Sequence, residues 1–418
     1  MEKLIIPGNQ IINGEITISG AKNSAVAIIP ACIIAGTKIH LENIPKIKDV
    51  YILLEIIQDM GATIKWENEI LTIDTTNINE KYVFSSLTRK IRASVYFMGS
   101  FLSRFKNVEI PMPGGCEIGL RPIDQHLKVF KALGADIKIN KGIIKLKANE
   151  LLGNFIYLDI VSVGATINAM LAAITAKGRT ILENVSKEPE VVDTANFLNA
   201  IGASVQGAGT DTIIIKRKKY INNATHYSII PDRIEAGTYM IGTVATKGNI
   251  TIRNVIPKHL GAIIAKLKEA GAKIICGEDY ITVIKNENNL INPLDIRTLP
   301  YPGFPTDLQP IIVPMLIKAN GTSIVTENIF ENRFGYVGAL RRMGAKIKTE
   351  GKIMIIEGMQ QLTGANIKIP DLRAGMGLLL AGLIAEDETT LTGINYIRRG
   401  YENFEDKLLK LGINLRSI

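Results

Sequence analysis

The segment Met112-Pro113-Gly114-Gly115-Cys116-Glu117-Ile118-Gly119-Leu120-Arg121-Pro122 sets one thiol among three glycines and two prolines in eleven residues. Glycine and proline at this density break regular structure, so the segment reads as a solvent-reachable loop able to lie over a site. Arg121, five residues beyond Cys116, would favour thiolate over thiol and lower a pKa that is about 8.5 in the free residue. No Ser-His-Asp or thiol-protease pattern surrounds Cys116. General-acid or redox chemistry therefore fits better than peptide hydrolysis, with an incidental loop thiol as the other reading. Cys32, inside an apolar run, and Cys276, after Ile274-Ile275, read as small core hydrophobes.

Charge interrupts the apolar pattern at recurring places. Lys22-Asn23, Arg92, Asp232-Arg233-Ile234-Glu235, Thr306-Asp307 and Asp371-Leu372-Arg373 each head a long apolar run. A helix N-terminus attracts anions through its free N–H groups and dipole, and a Lys or Arg beside it strengthens the pull. If those runs are helices aimed alike, the charges meet in one cleft and bind an anionic substrate. Taken singly, each is better read as a solvated cap paired with a neighbouring carboxylate; recurrence is what favours function. Arg333, in Glu331-Asn332-Arg333, and Arg399, in Arg398-Arg399-Gly400-Tyr401, precede amphipathic stretches and read equally as site or surface.

The elements that must position these residues repeat. Gly61-Ala62, Gly134-Ala135, Gly202-Ala203, Gly271-Ala272, Gly344-Ala345 and Gly412-Ile413 mark a register with steps of 73, 68, 69, 73 and 68 residues. Solenoid and propeller repeats run to about 50 residues, so a longer period signals six copies of a small α/β unit. In the first copy Gly14–Ser19 alternates as a strand and Ala21–Ala35 is apolar nearly all round. Thr37–Asn43 alternates again, and Val50–Met60 has helical spacing with Asp49 as its cap. Gly61 stops that helix, and two strands close a hairpin around Glu67-Asn68-Glu69. The unit reads β-α-β-α-β-β.

One run per copy is almost uncharged: Ala25–Ala35, Val95–Leu102, Ala165–Ala176, Ala236–Ala245, Leu308–Ala319 and Ala374–Ala385. Such helices must be buried, and each is about half the ~20 residues a bilayer demands. The expected fold is therefore an inside-out α/β arrangement, with core helices buried, sheets facing solvent, and three copies in each of two domains.

Composition narrows the setting. The 418 residues carry 49 Lys and Arg against 40 Asp and Glu, a net +9, spread without a basic block. An anionic small substrate accounts for that as well as nucleic acid does. Three cysteines, four scattered histidines and no signal-like N-terminus point to a reducing cytoplasm, without a disulfide framework or zinc site. The polar stretch Asn286–Asn292 reads as a loop.

Several motifs together, in order and suitably separated, carry a family resemblance. They are Gly20-Ala21-Lys22-Asn23-Ser24, Pro113-Gly114-Gly115-Cys116, Gly119-Leu120-Arg121-Pro122, Glu188-Pro189-Glu190-Val191-Val192-Asp193, Tyr301-Pro302-Gly303-Phe304-Pro305-Thr306-Asp307, Phe330-Glu331-Asn332-Arg333, Asp371-Leu372-Arg373-Ala374-Gly375 and Arg399-Gly400-Tyr401-Glu402. From about residue 7 to the C-terminus the chain resembles the UDP-N-acetylglucosamine enolpyruvyl transferases. That resemblance implies a two-domain inside-out α/β barrel whose chain starts in one domain, builds the other and returns. The implied domains are residues 21–230, and 1–20 with 231–418, with the active site in the cleft between them.

The resemblance also implies the reaction: transfer of the enolpyruvyl group of phosphoenolpyruvate to the 3′-hydroxyl of UDP-N-acetylglucosamine, with release of phosphate, by addition and elimination. This is the first committed step of peptidoglycan precursor synthesis in the bacterial cytoplasm, upstream of cell shape and division. It implies no cofactor, metal, nucleic acid or membrane insertion, and leaves protein partners open. Cys116 would protonate the methylene carbon, form a covalent adduct with the donor and be alkylated by fosfomycin. Asp307 would take the 3′-hydroxyl proton. Lys22, Asn23, Arg121, Arg373 and Arg399 would hold phosphoenolpyruvate. Asn23, Arg92, Arg121, Pro122, Ile123, Asp124, Gln125, Ile160, Val161, Ser162, Val163, Asp307 and Ile329 would hold the nucleotide sugar. Glu188, Glu190, Asp232, Glu235 and Arg333 would support them.

Two other readings are weaker. The sister enzyme acting on shikimate 3-phosphate shares repeats and donor, but its family has a Lys-Ser type signature where this chain has Lys22-Asn23, and it lacks the Pro-Gly-Gly-Cys loop. A ring of repeats around DNA would need Lys and Arg rows on channel-lining helices, and six helices here are nearly uncharged.

Overall fold

The computed structural model describes residues 2–79, 86–113, 119, 122–218, 225–285 and 290–418. By contact the chain separates into two compact units. One, the contiguous unit, comprises Gly20–Cys116 and Arg121–Ile230; the other, the split unit, comprises Met1–Ser19, Glu117–Leu120 and Pro231–Ile418.

Apolar helices form the centre of each unit, as their uncharged sequences demand. In the contiguous unit Lys22–Ala35, Tyr96–Phe105 and Val163–Ala173 pack on one another. In the split unit Arg233–Ala245, Gln309–Ile317 and Leu372–Ile384 do the same. From Ser24 to Ala35, and from Ala374 to Ile384, every side chain is buried. Full burial of each large aliphatic among them contributes roughly 1.5–3 kcal/mol. Strands around these helices bury alternate residues, as in Lys38–Glu42, where Ile39 and Leu41 point inward.

The copy spanning Phe155–Tyr157, Val163–Ala173, Arg179–Glu183, Pro189–Ala200, Val205–Gln206 and Thr212–Lys216 follows the expected β-α-β-α-β-β order. Its first two strands pair in parallel and the rest antiparallel. The expected hairpin is present between Thr63–Glu67 and Ile70–Asp74. Asn68 and Glu69 have φ of 46° and 64°, the double left-handed turn that matches strand twist.

Three features depart from a simple string of copies. The strand ahead of the first core helix, Asn13–Thr17, does not join the sheet of its own copy; it pairs in parallel with Asn249–Arg253 of the fourth. Reciprocally, Thr225–Ser228, ahead of the fourth core helix, pairs with Lys38–Glu42 of the first. The sixth sheet takes its inner strand from the other end of the chain: Lys3–Ile6 lies between Thr389–Thr392 and Arg416–Ser417.

A side-chain signature marks the repeat as well. Asn43, Asn184, Asn254 and Asn328 each follow the second strand of a copy, and each donates its amide to the carbonyl that ends the neighbouring first strand: Ile229, Leu158, Ile18 and Thr298.

Two sequence expectations are corrected. Asp49 does not cap its helix, which starts at Lys48 after Ile47 with no side-chain cap bond; its carboxylate is engaged elsewhere. Cys276 is exposed, not core. It ends the edge strand Lys273–Cys276, where the preceding Ile-Ile suggests burial but only Ile274 is buried and Ile275 is itself exposed.

Candidate active site

In the split unit two arginines meet one aspartate. Asp307 lies in the 3-10 turn Thr306–Leu308, directly ahead of the fifth core helix. Its Oδ2 accepts from Arg373 Nε at 3.2 Å and lies 3.0 Å from Nη2 in the same ion pair. Its Oδ1 accepts from Arg333 Nη2 at 3.4 Å, which also donates to the Thr306 carbonyl. Arg373 and Arg333 are 4% and 3% exposed, so Arg333 is not the solvated surface residue its sequence equally allowed. Asp371 caps the sixth core helix by accepting from the backbone N–H of Arg373 and Ala374, which fixes where Arg373 leaves the chain. The Arg373 guanidinium lies 5.3 Å from the Tyr401 ring centroid, within cation–π range. Burial works against its charge, but Asp307, Tyr401 and Asp232 outweigh that and hold the guanidinium charged more firmly than in water. Burial pushes the Tyr401 hydroxyl up to about 12, so it stays neutral beside Thr238 Oγ1 at 2.8 Å.

Glu327, which sequence reasoning missed, organises the adjoining turn. It is 1% exposed and accepts from Thr298 and Thr306 hydroxyls and from the backbone N–H of Ile329 and Phe330. One buried carboxylate thus fixes both Ile329 and the neighbour of Asp307. A signal existed in Thr326-Glu327-Asn328, the strand end where other copies carry Glu-Asn.

Asp232 caps the fourth core helix through the N–H groups of Ile234 and Glu235. Glu235 is buried beneath it and accepts from the Ser19 N–H at 2.9 Å and from Lys407 Nζ at 2.5 Å. Burial pushes its carboxyl up, with Lys407 opposing. Arg399 ends a 3-10 helix, half-buried.

In the contiguous unit Lys22 opens the first core helix, beside Asn23. Its Nζ lies 2.8 Å from Asp49 Oδ2, a carboxylate 4% exposed. This is where the misassigned cap is spent. The two segments expected to hold the nucleotide sugar are joined by side chains. Pro122 and Ile123 lead into the helix Asp124–Ala132; Gln125 donates to the Asp159 carboxylate at 3.0 Å and accepts from the Asp159 N–H at 3.0 Å. Lys128 adds an ion pair to Asp159 at 2.6 Å. Asp159 leads directly into Ile160 and Val161, both exposed, and Ser162, which caps Val163–Ala173 by accepting from Ala165.

Arg92 begins the short 3-10 turn before the second core helix and donates to the Pro113 carbonyl at 3.5 Å. Behind it Asn168 bridges that helix, accepting from Gly99 N–H at 3.0 Å and donating to Val95 C=O at 3.0 Å. A Cβ at Gly99 would sit 2.6 Å from the Asn168 oxygen, so only glycine admits the bridge. These two bonds orient the amide, so its N–H must donate to His126 Nδ1 at 2.8 Å. His126 is therefore held neutral; burial, then the Arg92 charge, pushes it down to about 3.

Glu188 precedes the helix Pro189–Ala200 and accepts from the Ser186 hydroxyl; Glu190 is buried in its first turn. Cys116 and Arg121 lie outside the described residues. Among the described residues no group of three or more His, Cys, Asp or Glu is placed to hold a metal, and no helix is long and apolar enough to cross a membrane.

With this arrangement in view, its relatives are informative. The EPSP synthase family (3-phosphoshikimate 1-carboxyvinyltransferase) matches residues 6–408. The enolpyruvyl transferase NikO from Streptomyces tendae superposes with a TM-score of 0.91 at 24% identity, over 100% of this chain and 98% of its own. EPSP synthase from Acinetobacter baumannii gives 0.75 at 20%, over 100% and 99%. The fold is that of the enolpyruvyl transferases. Sequence identity is far higher to one branch. The UDP-N-acetylglucosamine 1-carboxyvinyltransferase of Clostridium botulinum is 51% identical over 417 residues, 99% of each chain. The third such enzyme of Caldanaerobacter subterraneus is 50% identical over 416 residues, again 99% of each. The chain belongs to the UDP-N-acetylglucosamine 1-carboxyvinyltransferase family.

Proposed function

We propose that this protein transfers the enolpyruvyl group of phosphoenolpyruvate to the 3′-hydroxyl of UDP-N-acetylglucosamine and releases phosphate, in the bacterial cytoplasm, for peptidoglycan synthesis. The observation that carries this is identity of about half over essentially the whole length with enzymes named for that activity. Identity to the shikimate-branch structure is 20%.

In the mechanism we infer, the sugar O3′ bonds to C2 of phosphoenolpyruvate as its proton passes to Asp307, while C3 takes a proton from the Cys116 thiol. The C2–O bond to phosphate then breaks, C3 returns a proton to the thiolate, and the proton held by Asp307 leaves with the phosphate. Residues of both units serve this one reaction, with functional domains of 21–230, and 1–20 with 231–418. Lys22, Arg121, Arg373 and Arg399 would offset the roughly three charges of phosphoenolpyruvate, each cation at ~4 Å being worth on the order of 4 kcal/mol at an effective dielectric of 20, before desolvation. Arginine adds bidentate geometry for carboxylate or phosphate. Asn23, Arg92, the Pro122–Gln125 turn, Ile160–Val163 and Ile329 would hold the nucleotide sugar. Glu188, Glu190, Asp232, Glu235 and Arg333 support these side chains.

Phosphate release tests the assignment. With phosphoenolpyruvate present, UDP-N-acetylglucosamine should drive turnover and shikimate 3-phosphate should not. The reverse preference overturns the reading.

A further inference from the structure

Asp307 is the proposed proton acceptor, yet both its oxygens are already engaged by arginines. Arg373 places one charge-assisted N–H bond and a second ion-pair contact on Oδ2, and Arg333 places an N–H bond on Oδ1. Each such contact occupies an oxygen with which Asp307 would take a proton. Arg373 Nη1 and Arg333 Nε are both buried with no hydrogen-bond partner among the described residues, although such donors are nearly always satisfied. The two arginines are not equivalent, however: what separates them is the Thr306 carbonyl, which anchors Arg333. The Arg373 backbone is fixed by the Asp371 cap and its guanidinium lies over Tyr401. Only the guanidinium needs to turn to meet a second anion.

We propose that Arg373 serves two anions in turn: it holds Asp307 in the waiting site, and the arriving anion of phosphoenolpyruvate draws it away, which leaves Asp307 able to accept the 3′-hydroxyl proton. The base is thus engaged only when the donor is present. This rests on the reaction proposed above, in which Arg373 contacts phosphoenolpyruvate and Asp307 takes the proton. It carries a consequence that runs against simple intuition. Because Asp307 competes with the substrate for Arg373, removing its charge should strengthen donor binding while abolishing turnover. If Asp307 instead serves to aim Arg373 at the substrate, the same change should weaken binding.

The experiment uses phospholactate, which has the carboxylate and phosphate of phosphoenolpyruvate but no alkene to react. Its affinity is measured calorimetrically in the presence of saturating UDP-N-acetylglucosamine. Asp307→Asn should bind it about tenfold more tightly than wild type, within the usual range of coupling between sites, and adding Arg373→Ala should erase the gain. Asp307→Ala gives the same comparison where the amide variant fails to fold. Unchanged or weaker binding in the folded Asp307 variants overturns the proposal, as does a gain that persists without Arg373. A single Arg373→Ala change that leaves phospholactate affinity untouched defeats the assignment of Arg373 to the donor, a separate outcome.

Discussion

Gln125 and Asp159 hold each other in both directions, side chain to carboxylate and backbone N–H back to side chain, each at 3.0 Å. Thirty-four residues apart, they join the turn at Pro122–Gln125 to the segment Ile160–Val163. The geometry of one proposed sugar-binding segment is therefore set by the other.

Gln125→Ala should weaken UDP-N-acetylglucosamine binding roughly tenfold, since it leaves the Asp159 N–H without its acceptor at a cost of about 1–2 kcal/mol. The phosphoenolpyruvate requirement should not change. Calorimetry for the sugar and the donor dependence of turnover check the two halves separately.

His126 gives stability a pH dependence of predictable sign. Its folded pKa of about 3 lies below an unfolded value near 6.5. Between those values the unfolded chain binds the proton and the folded one does not, so stability is full above about 6.5 and falls as pH drops toward 3. The slope approaches about 1.4 kcal/mol per pH unit from this group. Urea unfolding at pH 7 and pH 5 should show His126→Asn losing about 2 kcal/mol less than wild type over that interval. Equal losses would falsify the assignment.

Asp49→Asn should lower kcat/KM for phosphoenolpyruvate by ten- to a hundredfold, because the Lys22 ammonium would lose the buried carboxylate that aims it. Removing one partner of a buried pair also costs about 3 kcal/mol of stability. Asp49→Glu should recover part of the activity. Sugar affinity, read by calorimetry, should stay near wild type.

Cysteine mapping separates three environments. Burial pushes the Cys32 thiol far above its ordinary range, so a small alkylating reagent should leave it unmodified in the native protein. Cys276 is exposed and should react with a general reagent such as iodoacetamide. Fosfomycin, which needs the active site, should modify Cys116 alone. Cys116→Asp should keep substantial turnover and resist the drug, while Cys116→Ser, a far weaker acid, should lose most turnover. Peptide mass spectrometry and phosphate release decide; a fosfomycin adduct on Cys276, or full activity of Cys116→Ser, contradicts the role given to Cys116.

Much of the fold was legible because its signals are local. Uncharged runs at Ala25–Ala35 or Ala374–Ala385 can only be buried helices, and Glu67-Asn68-Glu69 between alternating strands can hardly be other than a turn. The exchange of Asn13–Thr17 with Thr225–Ser228 was not legible in period or pattern, since a strand's alternation is the same whichever neighbour it pairs with; only the family resemblance implied a returning chain. The same limit governs the site. Arg333 carries no sign of burial in its own segment; Asp159 and Glu327 look like ordinary surface carboxylates, and Asp49 like a helix cap, until the fold brings Gln125 to the first, Thr298 and Thr306 to the second and Lys22 to the third. Cys276 failed in the opposite sense: its apolar neighbours imply a core that an edge strand does not supply.

The crossing of the chain also tells how such a molecule could have been assembled. Ser19 C=O accepts from the Asp232 N–H at 2.9 Å, and Ala21 N–H donates to the Ile230 carbonyl at 2.7 Å. At this crossing the cut ends of each unit lie side by side, the arrangement of one module inserted into a host. The strand exchange preserves this, because Thr225–Ser228 travels with the inserted module and Asn13–Thr17 stays with the host. A gene in which the codon for Ser19 is fused directly to that for Pro231 would encode the split unit apart from Glu117–Leu120, and one for residues 20–230 would encode the other unit with that short segment, so expressing the two separately asks whether each folds by itself.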